Sequence, residues 1–137
     1  ITHSVAMIKL GLLDKIFIGN LNAKRDWGYA KDYARAMSLM INNPIPDDYV
    51  ISTGKIFSVR ELCEIAFNYL DLDYKNYINY DKSSYRPDEN FQLIGDPSKI
   101  KTELGWKHTK TFHEIIALMI DKSMSELNNK KKFNENV

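Results

Sequence analysis

The sequence predicts an α/β fold, in which short apolar strands alternate with amphipathic helices. Two observations support this prediction. Apolar residues recur at helical spacing in several separate segments, and short apolar runs bounded by turn residues lie between those segments. Alternation of the two element types is typical of α/β domains. At 137 residues, of which 44% are hydrophobic, the chain is long enough for one ordinary domain with a core.

The predicted elements follow from these patterns. Helices are predicted over residues 2–12, 30–42, 59–70, 97–104 and 112–127, and strands over residues 15–18, 49–52 and 76–80. The intervening residues 42–48 are predicted to form a loop, because their two prolines cannot continue a helix. The residues predicted on the apolar helix faces are Val5, Ile8 and Leu12, then Tyr33, Ala34, Met37, Leu39, Met40 and Ile41, then Leu62, Ile65, Ala66 and Tyr69, and finally Ile115, Leu118, Met119 and Met124.

Capping residues support the predicted helix ends. Two serine or threonine residues precede a glutamate by three positions, which predicts a capping box at each site. These pairs are Ser58 with Glu61 and Thr111 with Glu114. Asp96 is predicted to cap the fourth helix and Gly105 to end it.

Composition excludes several classes of function. The net charge is +1, from 19 basic and 18 acidic residues, which gives no reason to expect a nucleic-acid surface. The single cysteine, Cys63, excludes an intrachain disulfide and is predicted to be a small buried hydrophobe. The three histidines are not grouped as ligands, so we predict no metal site. No segment approaches the roughly 20 apolar residues of a membrane span, and no signal peptide is evident, so we expect a cytoplasmic protein.

A charged stretch, residues 24–33, joins the first predicted strand to the second helix. Its sequence, Lys24-Arg25-Asp26-Trp27-Gly28-Tyr29-Ala30-Lys31-Asp32-Tyr33, places cations, carboxylates and aromatic rings around one glycine. Arg25 carries a planar fork of donors that suits a phosphate group. In the structural alternative, Arg25 and Asp26 form a surface ion pair of little energetic worth, and Trp27 belongs to the core. Composition alone leaves both interpretations open.

The surroundings of this stretch resemble a known family. Gly19-Asn20-Leu21-Asn22-Ala23-Lys24-Arg25-Asp26-Trp27-Gly28 resembles the corresponding segment of the GDP-mannose 4,6-dehydratases, which are extended short-chain dehydrogenases that act on nucleotide sugars. Three further groups match that family in the same order: Ile8-Lys9-Leu10-Gly11, then Tyr49-Val50-Ile51-Ser52-Thr53-Gly54 with Ser58-Val59-Arg60-Glu61, and Tyr85-Arg86-Pro87-Asp88-Glu89 with Gly95-Asp96-Pro97-Ser98-Lys99. The resemblance extends over about residues 1–125.

The resemblance implies the C-terminal portion of such an enzyme. Residues 1–127 would form the substrate-binding portion, with a strand at residues 49–52 and helices that complete the Rossmann domain, and residues 128–137 a disordered tail. The chain has neither a Gly-x-x-Gly-x-x-Gly loop nor a Tyr-x-x-x-Lys pair. We therefore expect NADP to be bound mainly by an N-terminal portion, no catalytic residue in this chain, and no activity of the chain alone. The intact enzyme would convert GDP-mannose to GDP-4-keto-6-deoxymannose as a homo-oligomer, a dimer or a tetramer.

The same resemblance assigns four substrate-binding residues. Arg86 would bind the diphosphate and Glu89 the ribose, Arg25 would contact the diphosphate or the nucleoside, and Lys9 would line the base or phosphate pocket. Candidates for the apolar wall of the pocket are Val5, Ile18 and Leu21. The structural alternatives are a solvated helix face for Lys9 and a local salt bridge between Arg86 and Glu89. Tyr29 stands where the family usually has histidine, so the hydrogen bond of that histidine is not expected here.

Two other functions stay open at this point. The chain could belong to another nucleotide-sugar epimerase, dehydratase or reductase of the same fold. It could also be a non-catalytic module that binds nucleotide sugars, since the catalytic residues of the family are absent from this chain.

Overall fold

The computed structural model describes residues 1–81 and 94–135, which fall into two compact units. Unit 1 contains the described parts of residues 1–23, 58–87 and 116–137, and unit 2 those of residues 24–57 and 88–115. The elements in chain order are α1 (Thr2–Lys9), β1 (Ile16–Ile18), β2 (Lys24–Arg25), α2 (Ala30–Ile41), β3 (Phe57–Ser58), α3 (Val59–Asn68), a 3₁₀ turn (Tyr74–Asn76), β4 (Ile78–Tyr80), α4 (Ser98–Leu104) and α5 (Phe112–Glu135). The mixture of helices and a parallel strand pair confirms the predicted α/β class.

Unit 1 is built around a parallel strand pair and helices α1 and α3. β1 and β4 pair in parallel, with Ile16 opposite Ile78 and Ile18 opposite Tyr80. The fully or almost fully buried apolar side chains of this unit are Val5, Ala6, Ile8, Leu21, Cys63, Ala66, Phe67, Tyr74, Ile78, Ile116 and Ile120. Because parallel strands run in one direction, the carboxyl ends of β1 and β4 lie at the same edge of this small sheet.

Unit 2 has its own core. Ala36 of α2, Ile100 of α4 and Trp106 are each at most 1% exposed and form one cluster. The partly buried side chains packed against it are Leu39, Met40, Tyr49, Ile51 and Leu104. Two strand residues, Lys24 and Arg25, pair with β3 in a second two-stranded sheet.

The two predicted capping boxes and the predicted end of α4 are confirmed. Ser58 Oγ accepts a hydrogen bond from the Glu61 backbone N–H at 3.1 Å, and the Glu61 carboxylate accepts one from the Ser58 N–H at 2.6 Å. Thr111 and Glu114 make the equivalent pair at the start of α5. Gly105 ends α4 with a left-handed φ of 63°. These ends are determined by residues three or four positions apart, so local sequence suffices to predict them. The predicted cap at Asp96 is wrong: the N-cap of α4 is Pro97, and Asp96, one residue before it, accepts from the Ser98 N–H at 2.9 Å.

No strand is formed at residues 49–52, where one was predicted to join the Rossmann sheet. These residues have no strand assignment, and within the described part of the chain no strand pairs with them. Tyr49 and Ile51 pack against the core of unit 2, whereas Val50 between them is 54% exposed. The side chains thus alternate as in a strand, but a strand also requires a neighbour for its backbone groups.

Several predicted apolar faces are also wrong. In α5 the predicted Leu118 and Met119 are 45% and 51% exposed, while Ile116 and Ile120 are buried. In α2 the predicted Met37 and Ile41 are 55% and 83% exposed. Both helices carry apolar residues around much of their circumference, so spacing alone does not identify the buried stripe. In α1 the predicted Leu12 lies beyond the helix end and is 52% exposed.

One helix and one strand have bounds that differ from those predicted. α5 continues to Glu135, whereas fraying was expected from residue 128. The strand expected at residues 76–80 begins later, with β4, after a 3₁₀ turn. None of the described helices has the length and apolar content that crossing a bilayer requires.

Candidate functional site

A cavity of about 420 Å³ lies in unit 1 beside the carboxyl ends of β1 and β4. It is lined by residues 19–22, which follow β1 directly, by Tyr80 and Asp81 at the end of β4, and by Arg60 on the first turn of α3. Ligands of open α/β sheets typically bind outside the carboxyl ends of the strands. The volume also falls in the range of small-molecule pockets, roughly 300–1,000 Å³. This cavity is therefore the candidate binding site.

The loop that lines the cavity is fixed by backbone hydrogen bonds. The Asn22 N–H donates to Asn20 Oδ1 at 2.9 Å, which closes a turn around Leu21. The start of α3 is attached to the same loop, because the Val59 N–H donates to Ala23 O at 2.9 Å and the Arg60 N–H donates to Leu21 O at 2.8 Å. The loop and the helix start therefore present their side chains to the cavity in one arrangement.

Arg60 supplies the positive charge of this cavity. Its guanidinium donates to the Tyr74 hydroxyl and to Asn22 Oδ1, each at 3.3 Å. The hydrogen bond to Tyr74, followed by weaker interactions that include Tyr80, raises the pKa of Arg60. Sequence reasoning gave Arg60 no role. The available signal was the capping box at Ser58, which places Arg60 on the first turn of a helix.

The residues predicted to bind substrate are placed as follows. Leu21 is 3% exposed and lines the cavity, and its predicted contact with substrate in an apolar wall stays a prediction. Lys9 Nζ donates to Leu70 O at 2.7 Å and does not line the cavity. Arg25, in unit 2, donates from its guanidinium to Lys24 O at 2.7 Å. Arg86 and Glu89 lie outside the described residues. The substrate-binding roles of these four residues stay predictions.

Two further residues were predicted in the apolar wall. Val5 is fully buried in the core of unit 1, and Ile18 is half-buried at the end of β1, immediately before the loop that lines the cavity. Neither side chain is among the lining residues of the cavity. Their predicted contact with a ligand is therefore not visible in this arrangement.

Within the charged stretch, Asp26 has a partner that sequence reasoning missed. Its carboxylate accepts hydrogen bonds from the Thr53 N–H at 3.0 Å, from the Thr53 hydroxyl at 2.7 Å and from the Gly54 N–H at 2.9 Å. These hydrogen bonds join the Asp26 carboxylate to residues that lie 27 and 28 positions later in the sequence. Asp26 thus holds the 53–54 turn, which is a role in the fold.

Asp32 makes the second connection of this stretch. Its carboxylate, on a residue that is 3% exposed, accepts from the Thr109 N–H at 2.6 Å and from the Thr109 hydroxyl at 2.9 Å. The backbone oxygen of Asp32 accepts from the Trp106 indole N–H at 2.7 Å. Arg35 lies 3.3 Å from the same carboxylate and also donates to Lys107 O. The stretch therefore holds the segment after α4 against the start of α2.

Gly28 is required by space. A Cβ at this position would lie 2.4 Å from the ring of Tyr33, which is closer than side chains pack. The Tyr33 ring is edge-on to Trp106, at a centroid distance of 6.4 Å. Burial, and then the charges of Asp26 and Asp32, raise the pKa of the Tyr33 phenol. The glycine thus leaves room for the Tyr33 ring.

The fold defines the class of protein. The chain superposes on the structure of RMD from Pseudomonas aeruginosa complexed with NADPH with a TM-score of 0.81 at 20% identity, covering 91% of this chain and 41% of that one. It superposes on UDP-glucose 4-epimerase of Thermotoga maritima with UDP-glucose with a TM-score of 0.71 at 23% identity, covering 90% and 38%. These structures show that the chain has part of the α/β fold of those two proteins.

The sequence comparisons then show the family. The family model for GDP-mannose 4,6 dehydratase matches residues 1–119. GDP-mannose 4,6 dehydratase 2 of Arabidopsis thaliana is 44% identical over 124 residues, which cover 90% of this chain and 33% of that protein. The human GDP-mannose 4,6 dehydratase is 40% identical, with coverages of 88% and 37%. The chain belongs to the GDP-mannose 4,6-dehydratase family, and it spans about a third of the length of these relatives.

Proposed function

We propose that this chain is the substrate-binding C-terminal part of a GDP-mannose 4,6-dehydratase. The intact enzyme would convert GDP-mannose to GDP-4-keto-6-deoxymannose with loss of water. The observation that carries the proposal is the match of the family model over residues 1–119, which include the whole lining of the unit 1 cavity.

The chemistry of the cavity supports binding of the nucleoside part of the substrate. A guanine base carries both hydrogen-bond donors and acceptors, so its site needs both kinds of group. Arg60 offers donors, Asp81 offers acceptors, and the amide of Asn22 offers both. Leu21 supplies an apolar surface for the base. A few polar groups on a partly apolar wall are typical of a site that selects one ligand orientation.

The charged parts of the substrate are assigned from sequence. We propose that Arg86 binds the diphosphate and Glu89 the ribose, that Arg25 contacts the diphosphate or nucleoside, and that Lys9 lies near the base or phosphate. A guanidinium can bind two phosphate oxygens at once, and a carboxylate can accept from ribose hydroxyls.

The hydride chemistry requires NADP, which accepts and returns a hydride when bound. The residues of this chain do not fit that cofactor, because the sequence has neither the glycine-rich phosphate loop nor the Tyr-x-x-x-Lys pair of the family. In this proposal the chain binds and orients the nucleotide sugar and supplies no catalytic residue. We further propose a homo-oligomer for the intact enzyme, and a cytoplasmic location.

One experiment tests the assignment of function. The gene is sequenced upstream of the codon for Ile1, and its complete product is incubated with GDP-mannose and NADP and analysed by mass spectrometry. We expect a Tyr-x-x-x-Lys pair upstream and a product lighter than GDP-mannose by one water. The 137-residue chain alone, as the control, should leave GDP-mannose unchanged. A start codon next to Ile1 would instead support a non-catalytic binding module.

Nucleotide preference separates the dehydratase from other enzymes of this fold. Phosphate contacts carry little information on base identity, so discrimination has to arise in the base pocket, where an unpaired polar group is costly. We expect the complete gene product to bind GDP at least about tenfold more tightly than UDP, which is about 1.4 kcal/mol. The measurement is a competition of each diphosphate against bound GDP-mannose. Equal or stronger competition by UDP would favour another nucleotide-sugar enzyme.

A further inference from the structure

We propose that unit 2 carries a second ligand site, which binds a phosphate group. The site is a cavity of about 240 Å³ formed by the segment around Thr53 to Phe57 and the start of α5. None of its lining residues belongs to the lining of the unit 1 cavity. Its volume is below the roughly 300 Å³ at which drug-sized ligands begin to fit, so the ligand is a small one.

The charge of the cavity favours an anion. Lys55, Lys110, His108 and His113 line it, and none of the nine described lining residues is acidic. In the described part of the chain, the ammonium group of Lys55 has no ion pair or hydrogen bond. Lys110 lies 3.9 Å from Glu114, at the limit of an ion pair. Two ammonium groups are therefore available to a ligand with more than one negative charge.

Two carboxylates that contact lining residues of the cavity accept hydrogen bonds from neutral donors of the fold. Asp26 accepts from Thr53 and Gly54, as described above. Glu114 accepts from the Thr111 N–H at 2.7 Å and from the Thr111 hydroxyl at 2.8 Å. These hydrogen bonds keep each carboxylate oriented toward its cap or turn. The cationic character of the cavity is thus not cancelled by a carboxylate on its wall.

One wall of the cavity is a rigid stack of aromatic rings. Phe112 stacks on Trp27 with a centroid distance of 5.3 Å and on Phe57 with a centroid distance of 4.3 Å. The interplanar angles are 6° and 19°. Apolar walls reduce the local dielectric constant, so charges beside them interact more strongly with a bound anion. The stack therefore strengthens the attraction that the lysines provide.

The start of α5 also favours an anion in this cavity. Three lining residues, Thr111, Phe112 and His113, stand at the N-terminal end of α5. This helix has 24 residues, and the dipole of a helix favours negative charge at its N-terminus.

The test is a titration of the 137-residue chain with inorganic phosphate at constant ionic strength, followed by the two tryptophan indole N–H resonances in NMR. Trp27 lines the cavity, whereas the Trp106 indole is hydrogen-bonded to Asp32 O. We expect a saturating shift of the Trp27 resonance and none of the Trp106 resonance. Assignment of the two signals comes from Trp27→Phe.

Variants identify the binding groups. Lys55→Gln with Lys110→Gln removes both ammonium groups and should raise the dissociation constant for phosphate by about tenfold or more, or about 1.4 kcal/mol. Lys101→Gln is the matched control, because Lys101 is an exposed lysine of the same unit that does not line the cavity. It should leave the dissociation constant unchanged. Circular dichroism of each variant shows whether the fold is retained.

A second ligand, a hexose 1-phosphate, distinguishes a site for phosphate esters from a site for free phosphate. Tighter binding of a hexose 1-phosphate than of inorganic phosphate would identify a phosphomonoester site, and equal binding a site for free phosphate. The proposal is overturned if phosphate leaves the Trp27 resonance unchanged, if sodium chloride produces the same shift, or if the folded double variant binds phosphate as tightly as the wild type. None of these three outcomes would bear on the proposed function of the unit 1 cavity.

Discussion

Asp32→Ala tests whether the charged stretch stabilises unit 2 through its carboxylates. The substitution removes the acceptor of the Thr109 N–H and hydroxyl and the partner of Arg35. Hydrogen bonds to charged groups contribute about 1.5–3 kcal/mol each. Because Thr109 is exposed, water replaces part of the free energy of these hydrogen bonds in the variant. The ion pair with the half-exposed Arg35 contributes little to stability. Loss of the carboxylate in the first turn of α2 also removes a favourable interaction with the helix dipole, at a further cost of about 0.3–1 kcal/mol. We expect a loss of about 2–3 kcal/mol in the free energy of unfolding.

The assay is urea unfolding followed by both tryptophan fluorescence and far-ultraviolet circular dichroism. Two probes are needed because the chain has two compact units, and coincident curves justify a two-state treatment. Asp32→Asn keeps the shape and one acceptor oxygen, so it should lose about half as much. Asp14→Ala is the matched control for loss of an exposed carboxylate and should stay within about 0.5 kcal/mol of wild type. If Asp32→Ala also stays within that range, the proposed stabilisation by Asp32 is refuted.

Three further predictions concern a cap, a buried thiol and the substrate. Ser58→Ala removes one half of a capping box and should lower the free energy of unfolding by about 1 kcal/mol in urea, whereas an unchanged midpoint would show that the cap is not needed. Burial raises the pKa of the Cys63 thiol to about 11. Because the folded state holds this proton more tightly than the unfolded state, the buried thiol favours the folded state. This contribution to the free energy of unfolding is complete below pH 9 and is lost as the pH rises from 9 to 11. Cys63→Ala should remove that part of the pH dependence, and the same slope in the variant would contradict this. Arg86→Ala in the complete gene product should weaken GDP-mannose binding by about 1.5–3 kcal/mol in isothermal titration, and an unchanged dissociation constant would remove Arg86 from the site.

Local sequence was sufficient for those features whose determinants are close together in the chain. The capping boxes at Ser58 and Thr111, the end of α4 at Gly105 and the burial of Cys63 all depend on neighbours or on a single side chain. The α/β class followed from the alternation of predicted helices and strands, and the family from the order of motifs. The buried stripes of α2 and α5 did not, because which of several apolar residues is buried depends on the element packed against the helix.

The candidate site was predicted only in part for the same reason. Leu21 was identified as part of an apolar wall, but Arg60 was not, although the two residues line one cavity. They are 39 positions apart, and nothing in either segment indicates that α3 begins beside the loop after β1. The juxtaposition arises from the backbone hydrogen bonds of residues 59 and 60 to residues 23 and 21, which are tertiary contacts. Motif order predicted the presence of these segments but not their contact.

The charged stretch also shows why a motif does not by itself identify binding residues. Its residues carry much of the resemblance to the family, and sequence reasoning attached that resemblance to phosphate binding by Arg25. Asp26 and Asp32 of the same stretch hold residues 53–54 and 109 by hydrogen bonds, and Gly28 gives room to the Tyr33 ring. A family pattern at these three positions is therefore sufficiently explained by the fold of unit 2. A structural task does not by itself exclude a place in a candidate site, because Arg60 joins Asn22 to Tyr74 by hydrogen bonds and also lines the cavity.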